Sequence, residues 1–390
     1  MNYILFDGAS RNQLLPFTYT RPVAEIRIGI LTIREKWEQL LGCSVTYLTE
    51  EYLEAKFPMV EFEENIFIDA SIVPTEKLAE EVRFLSEDQA ILVDDEMIAF
   101  FATQLQEIVD FSSYDLIDFS NDLVSIQQLP DIFKNNFQAL KQDFDRITFE
   151  RNSLPISSTN NVLGKENIFI EEGAVVEFVT INAKEGPVYI GKNALIMEGT
   201  MLRGPISIGD NSVVKMGAKI YGGTTVGPNC TVGGEIKNVV FFGNSNKGHD
   251  GYLGNSVVGE WCNFGADTNC SNMKNNHSTV KVWSYEAQDF INSEEQFCGL
   301  FIGDFSKLGI NTMINTGTVI GISSNVFGAG FPHKFIPSFS WGGKESLAEY
   351  KIDKALNDSK KMCALKKKTF DEKDQRILES IFEETKNYRN

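Results

Sequence analysis

Residues 190–232 read IGKNAL, IMEGTM, LRGPIS, IGDNSV, VKMGAK, IYGGTT, VGPNCT and V, so that Ile190, Ile196, Leu202, Ile208, Val214, Ile220, Val226 and Val232 all fall at a spacing of six. An α-helix returns a side chain to one face about every 3.6 residues and a strand every second residue, so neither keeps this period. A coil of triangular section does. If three short flat strands make one turn, the first residue of each hexapeptide points to the axis and stacks on its neighbours, giving a parallel β-helix. The same phase returns at Ile302, Leu308, Ile314, Ile320 and Val326, and briefly at Val258 and Phe264. Glycine often follows the aliphatic residue, as at Gly191, Gly209, Gly227, Gly303 and Gly321, which suits tight corners.

A chain of 390 residues with 42% hydrophobic content has room for two or three domains with real cores. Its formal charge of −18 opposes general attraction to nucleic acid or anionic membrane, so neither is expected as a partner. The six cysteines form no CxxC pair and no dense framework, so they read as reduced thiols. The start Met1-Asn2-Tyr3-Ile4-Leu5-Phe6 lacks a basic segment followed by a long apolar run, and no stretch approaches the roughly 20 apolar residues that span a bilayer. The expected location is cytoplasmic.

Residues 1–150 follow a different logic. Apolar starts at 3–6, 45–48, 66–68 and 90–93 alternate with helix-like segments around 28–41 and 75–85, an α/β pattern that ends in a linker helix opening at Pro130-Asp131. The coil is expected over 151–340. Its phase is broken at 271–298 by a polar loop and an aromatic segment with Trp283 and Tyr285, the kind of insertion on which sites are built. Residues 341–390 are charged and helix-prone and are expected to cap the last coil.

Three histidines, His249, His277 and His333, lie far apart in the sequence, which does not suggest a shared zinc site. His249 sits in a polar, glycine-flanked stretch, Ser245-Asn246-Lys247-Gly248-His249-Asp250-Gly251-Tyr252-Leu253-Gly254, where a coil turn presents the side chain best suited to proton transfer near neutrality. Lys237 precedes His249 by twelve residues, and Tyr252, Asn263 and Asn272 follow it by three, fourteen and twenty-three.

Those residue types at those spacings resemble the acetyltransferase half of the bifunctional N-acetylglucosamine-1-phosphate uridyltransferase/glucosamine-1-phosphate acetyltransferase family, over roughly residues 205–330. The resemblance implies a left-handed coil and a homotrimer. It also implies a site in which His249 takes the proton from the sugar amine as it attacks the acetyl-CoA thioester. Lys237 would hold the sugar phosphate, and Tyr252 and Asn263 would orient the sugar. Ala266, Asn272, Gly328 and Ala329 would lie along acetyl-CoA. A phosphate dianion needs further cations; Lys215 is the preferred partner of Lys237, with Arg203 as another.

Asp7-Gly8-Ala9-Ser10-Arg11, then Leu15-Pro16-Phe17-Thr18 and Arg21-Pro22, is similar to the start of sugar-phosphate nucleotidylyltransferases, although the family's G-x-G-T-R glycine pattern is absent and Val23 stands where a Lys is usual. This resemblance implies that Gly8, Arg11 and Arg21 hold a nucleotide and that Asp7 and Asp69 hold Mg²⁺. The expected whole is an α/β nucleotidylyltransferase-like domain, a left-handed parallel β-helix and a C-terminal helix, making UDP-N-acetylglucosamine from a sugar phosphate, acetyl-CoA and UTP. Each half is expected to carry its own site, so that a chain beginning near Arg151 would fold and acetylate alone. The alternatives are a nucleotidylyltransferase for another sugar 1-phosphate and a noncatalytic hexapeptide scaffold.

Overall fold

The computed structural model describes residues 1–103, 112 and 114–389. Its centre is a parallel coil with three faces. Side chains from successive turns stack inside it: Ile190, Ile208, Val226, Phe241, Val258, Ile302, Ile320 and Ile336 on the first face; Val176, Ile196, Val214, Val232 and Lys247, then Phe264, Leu308 and Val326, on the second. Val162, Ile181, Leu202, Ile220, Ile236 and Leu253, then Cys270 and Ile314, line the third. In the regular turns each partner lies 18 residues on, three hexapeptides, so the sequence period is the geometry of one coil. All but Val162 are buried.

The corner from the first face to the second needs a left-handed backbone in every turn. In the earlier turns Asn193, Asn211, Asn229 and Asn244 supply it, with φ from 54° to 57°. Farther on the same corner is occupied by Trp261, Phe305, Ser323 and Phe339, with φ of 61°, 62°, 53° and 56°. An aromatic residue there costs roughly 1–2 kcal/mol, because its Cβ crowds the following carbonyl. Burial offsets the cost, since Phe339 is fully enclosed and Trp261 stacks on Phe305 at 6.1 Å.

The C-terminal segment supplies that cover, with Phe370 edge-on to Phe305 at 6.2 Å and Phe382 edge-on to Phe339 at 5.1 Å, and beside it packs the N-terminal domain. Its sheet runs in the order Thr46–Leu48, Asn2–Phe6, Asn65–Asp69, Glu96–Ala102, Gln89–Val93, Asp115–Asp118, with the first three strands parallel. Helix Ile33–Leu41 begins with a capping box between Thr32 and Glu35, stops at the left-handed Gly42, and buries Ile33 and Trp37. Helices Leu129–Lys134 and Asn136–Thr148 then lead to the coil.

The two halves share one core. Val240, Phe242, Val257, Phe301 and Val319 point outward from the first face of the coil, and all are buried in a cluster with Phe17, Ile28, Ile126 and Phe133. Phe17 meets Phe242 at 5.1 Å and Phe133 stacks on Phe301 at 6.1 Å. Asn136 donates to the Gly223 carbonyl at 2.7 Å, and Arg27 Nε to the Phe242 carbonyl at 3.0 Å. The coil is therefore not an independent body: a chain beginning at Arg151 would leave this apolar face in water.

The C-terminal segment divides its work. Leu347–Glu349 pairs antiparallel with Ser340–Gly342 at the end of the coil, while helices Ile352–Leu365 and Glu372–Glu384 turn back along it. Lys366 donates to Asn246 Oδ1 at 3.0 Å, and Lys56 of the N-terminal domain pairs with Asp374 at 2.7 Å. The helices thus lie in the seam between coil and N-terminal domain. No described helix is long and apolar enough to cross a membrane.

Candidate functional site

His249 is exposed in the corner turn Gly248–Gly251, which joins Asn246–Lys247 on the second face to Tyr252–Glu260 on the third. Gly251 has φ 116°, and a Cβ there would stand 2.2 Å from the Thr268 carbonyl oxygen of the next coil, so only glycine closes this turn. The third face then brings the predicted residues together. Lys237 lies in register with Gly254 of the following strand and projects into solvent. Tyr252 folds its ring over Gly254, where a Cβ would be 2.3 Å from the tyrosine hydroxyl. Asn272, the second residue of the 271–298 insertion, donates to that hydroxyl at 3.0 Å and to Asn255 Oδ1 at 2.8 Å. Burial is the main cause holding the Tyr252 phenol above its ordinary pKa, so it is a neutral hydrogen-bonding group at physiological pH.

Lys215 belongs to the same corner two coils earlier. Its stem passes over Gly233 and extends toward Gly248, so it approaches the His249 turn from below. Arg203 is also exposed on the third face but is paired with Glu185 at 3.2 Å. Asn263 lies elsewhere, half-buried on the second face between Asn246 and Lys307, along which the C-terminal helix runs. Ala266 continues the His249 corner in the next turn, where its carbonyl accepts from the Asn311 amide at 2.8 Å. Gly328 and Ala329 lie on the same corner, exposed, in the turn after Val326. At about 4.8 Å per coil they stand some 14 Å along the axis from His249. The rest of the insertion goes to the domain seam: Trp283 stacks on Phe335 at 4.1 Å and Tyr285 meets Tyr19 edge-on at 5.6 Å.

The sequence reading does not assign the residue immediately inside this corner. Lys247 is buried in the coil and directs its ammonium to the carbonyls of His249 at 3.0 Å and of Gly233 and Asp250 at 3.4 Å. Counting by sixes from Phe241 through Lys247 to Leu253 places it in the core, a phase that a purely aliphatic search passes over.

The other predicted group lies at the carboxyl ends of the parallel strands, where α/β sheets present ligands. Asp7, Gly8, Arg11, Asn12, Thr49, Glu50 and Glu51 line a cavity of about 270 Å³. Arg11 is buried and already engaged by Asp7 at 2.8 Å, the Tyr52 hydroxyl at 3.0 Å and Glu50 at 3.3 Å. Asp7 also accepts from the Val23 amide at 2.7 Å and the Thr49 hydroxyl at 2.6 Å, a donor set that leaves it poorly fitted to a cation. Asp69 accepts from the Ser71 amide through Oδ1, while Oδ2 faces Gly8. Burial raises the pKa of both carboxyls. Among the described residues, no three His, Cys, Asp or Glu side chains are grouped for a metal.

Arg21 is not in this cavity. It is buried in the domain seam against Asp304, with Glu260 at 3.5 Å and the Phe242 ring at 5.3 Å, because a desolvated guanidinium requires a carboxylate. Its expected nucleotide contact is therefore replaced by an interdomain ion pair.

Comparison with known proteins matches both halves. Residues 3–152 fit the family model described as sugar nucleotidyl transferase, and residues 187–221 fit that described as bacterial transferase hexapeptide (six repeats). The chain joins a sugar nucleotidyl transferase-like domain to a parallel coil with hexapeptide repeats. A bifunctional sugar-1-phosphate nucleotidylyltransferase/acetyltransferase of Sulfurisphaera tokodaii is 34% identical over 93 residues, 24% of this chain and 23% of that protein. The bifunctional protein GlmU of Methanococcus aeolicus is 34% identical over 90 residues, 23% of this chain and 21% of that one. The matched part spans less than a quarter of the length of these relatives. Among solved structures, the UDP-N-acetylglucosamine acyltransferase of Francisella novicida aligns with 58% of this chain and 87% of its own, at 12% identity and a TM-score of 0.29.

Proposed function

We propose that the His249 corner transfers the acetyl group of acetyl-CoA to the amine of glucosamine 1-phosphate. The observation that carries this reading is the convergence of Lys237, Tyr252 and Asn272 around Gly254, beside an exposed histidine turn. The amine nitrogen attacks the thioester carbonyl, an N–C bond forms, the C–S bond breaks and the thiol of CoA leaves. His249 accepts the proton that would otherwise accumulate on nitrogen. Lys237, with Lys215 across the corner, neutralises the sugar phosphate. Tyr252, fixed by Asn272, orients the sugar, and the pantetheine arm runs up the corner past Ala266 toward Gly328 and Ala329, where small side chains let it lie against the backbone. Asn263 orients the sugar only if the substrate reaches across the corner to the second face.

The nucleotidylyltransferase-like domain is proposed to transfer a nucleotidyl group from UTP to the N-acetylglucosamine 1-phosphate formed in the first step, yielding UDP-N-acetylglucosamine, a cell-envelope precursor made in the cytoplasm. Gly8 and Arg11 face the triphosphate in this reading. Mg²⁺ would neutralise phosphate charge there, with Asp69 the better-fitted carboxylate. Exposed Met201 and Tyr221 on the third face, with Met216 and Ile310 at its corner, support assembly as a homotrimer that covers them. The engagement of Arg11 by carboxylates favours a second reading, in which the N-terminal domain only docks against the coil.

One incubation separates these readings: the protein with glucosamine 1-phosphate, acetyl-CoA, UTP and magnesium, followed by mass analysis of the products. N-acetylglucosamine 1-phosphate, abolished about 10²-fold or more by His249→Ala, supports the acetyl step, and near-normal turnover in that variant removes it. Pyrophosphate release suppressed by Arg11→Ala, with acetylation untouched, supports the second step. No pyrophosphate from any common nucleoside triphosphate leaves the domain a docking role.

A further inference from the structure

The corner turns on either side of the first-to-last coil axis are fastened in different ways. In the turn after Phe264, the Thr268 hydroxyl donates to the Gly265 carbonyl at 2.8 Å; in the turn after Leu308, the Thr312 hydroxyl donates to the Gly309 carbonyl at 2.6 Å. The His249 turn has glycine at the equivalent place, Gly251, and the Thr268 carbonyl forbids any side chain there. What holds this turn comes from inside. Lys247 occupies the interior position opposite Val232, and its ammonium binds carbonyls of two successive turns, Gly233 below and His249 and Asp250 in its own.

A buried ammonium is a costly fastener. Desolvation opposes it, and an apolar side chain of the same shape would suit the stack at least as well. We propose that Lys247 is a positioning residue for His249, fixing the backbone of the turn from which the imidazole meets its substrate. The inference rests on the reading of His249 as the general base. Burial draws the Lys247 pKa down to about 8, with Asp250 and Asp267 opposing that fall, consistent with an ammonium held where water does not reach.

The test is a double-mutant cycle with Lys247→Met, which preserves side-chain volume, and His249→Ala, assayed with acetyl-CoA and glucosamine 1-phosphate. Lys247→Met should lower kcat about tenfold with both KM values within about twofold, and should have less than about twofold effect in the His249→Ala background, because it acts through the histidine. Hydrogen exchange supplies a readout that does not depend on turnover: the Glu235 and Asp267 amides, which donate to the Gly251 and Asp250 carbonyls of the turn at 3.2 Å, should lose protection in Lys247→Met while the rest of the coil keeps it. Wild-type kcat, an equal loss in both backgrounds, or unchanged protection of those two amides overturns the proposal. If His249→Ala itself retains wild-type kcat, it is the general-base reading that fails, and the role of Lys247 toward it falls with it.

Discussion

The Asn272 amide reaches from the start of the 271–298 insertion to the Tyr252 hydroxyl, 3.0 Å away and one turn earlier in the coil. This bond joins the irregular part of the chain to the regular part. The strand Asn269–Cys270 still obeys the coil, so the next residues begin their excursion from a fixed point on the third face, and Asn272 is carried back over Gly254.

Tyr252→Phe is therefore expected to keep the fold, because Asn272 retains its bond to Asn255. KM for glucosamine 1-phosphate should rise about tenfold, the scale of one hydrogen bond, with KM for acetyl-CoA unchanged. Steady-state kinetics with each substrate varied decide it; equal effects on both would move Tyr252 out of the sugar subsite.

Arg21→Ala should cost about 3–5 kcal/mol of stability, because it leaves the Asp304 carboxylate buried without its partner. Denaturant unfolding of Arg21→Ala and of Arg21→Ala combined with Asp304→Ala checks this. The double variant should recover part of the loss, and a single variant as stable as wild type would show that the seam does not depend on the pair.

Lys247 makes stability depend on pH in the alkaline range. Its pKa is about 8 in the folded protein against an ordinary 10.5, so between those values the unfolded chain binds more protons and stability rises with pH. The gain is complete above about 10.5 and gone below about 8. Lys247→Met lacks it, so its stability advantage over wild type should shrink as pH rises from 8 to 10, measured by unfolding at each pH. A constant difference would place the lysine's titration outside that window.

A chain beginning at Arg151 should be insoluble or oligomerise without order, since Val240, Phe242, Val257, Phe301 and Val319 lose their cover. Sedimentation of the truncated and full-length proteins tests this. A monodisperse, folded truncation would show that the shared core is dispensable.

The repeat at Ile190–Val232 was legible because a side chain every sixth residue has one physical use, the axis of a three-sided coil. Four strands of the N-terminal sheet, read at 3–6, 45–48, 66–68 and 90–93, and the helices read around 28–41 and 75–85 were legible for a similar reason, since their apolar patterns and caps are local, whereas Glu96–Ala102 and Asp115–Asp118 were not read and the first of those helices begins only at Ile33. The spacing from Lys237 to Tyr252 was enough to propose a site, because both ride on consecutive turns whose geometry is regular.

Arg21 shows where local reading ends. Beside Pro22 it has the look of a phosphate ligand, yet its partner Asp304 lies 283 residues away and is brought to it only by docking of the N-terminal domain on the coil. Trp261, Phe305 and Phe339 tell the same story, because the packing around Phe305 and Phe339 comes from Phe370 and Phe382, far along the chain. Sequence alone determined the coil, its axis and the residues that ride on it, since these follow from short-range periodicity. Which face of the coil is covered, which arginine is consumed in the cover, and that a lysine rather than an aliphatic side chain fastens the His249 turn from within were decided only by tertiary structure, because desolvation and pairing depend on what the distant chain places alongside.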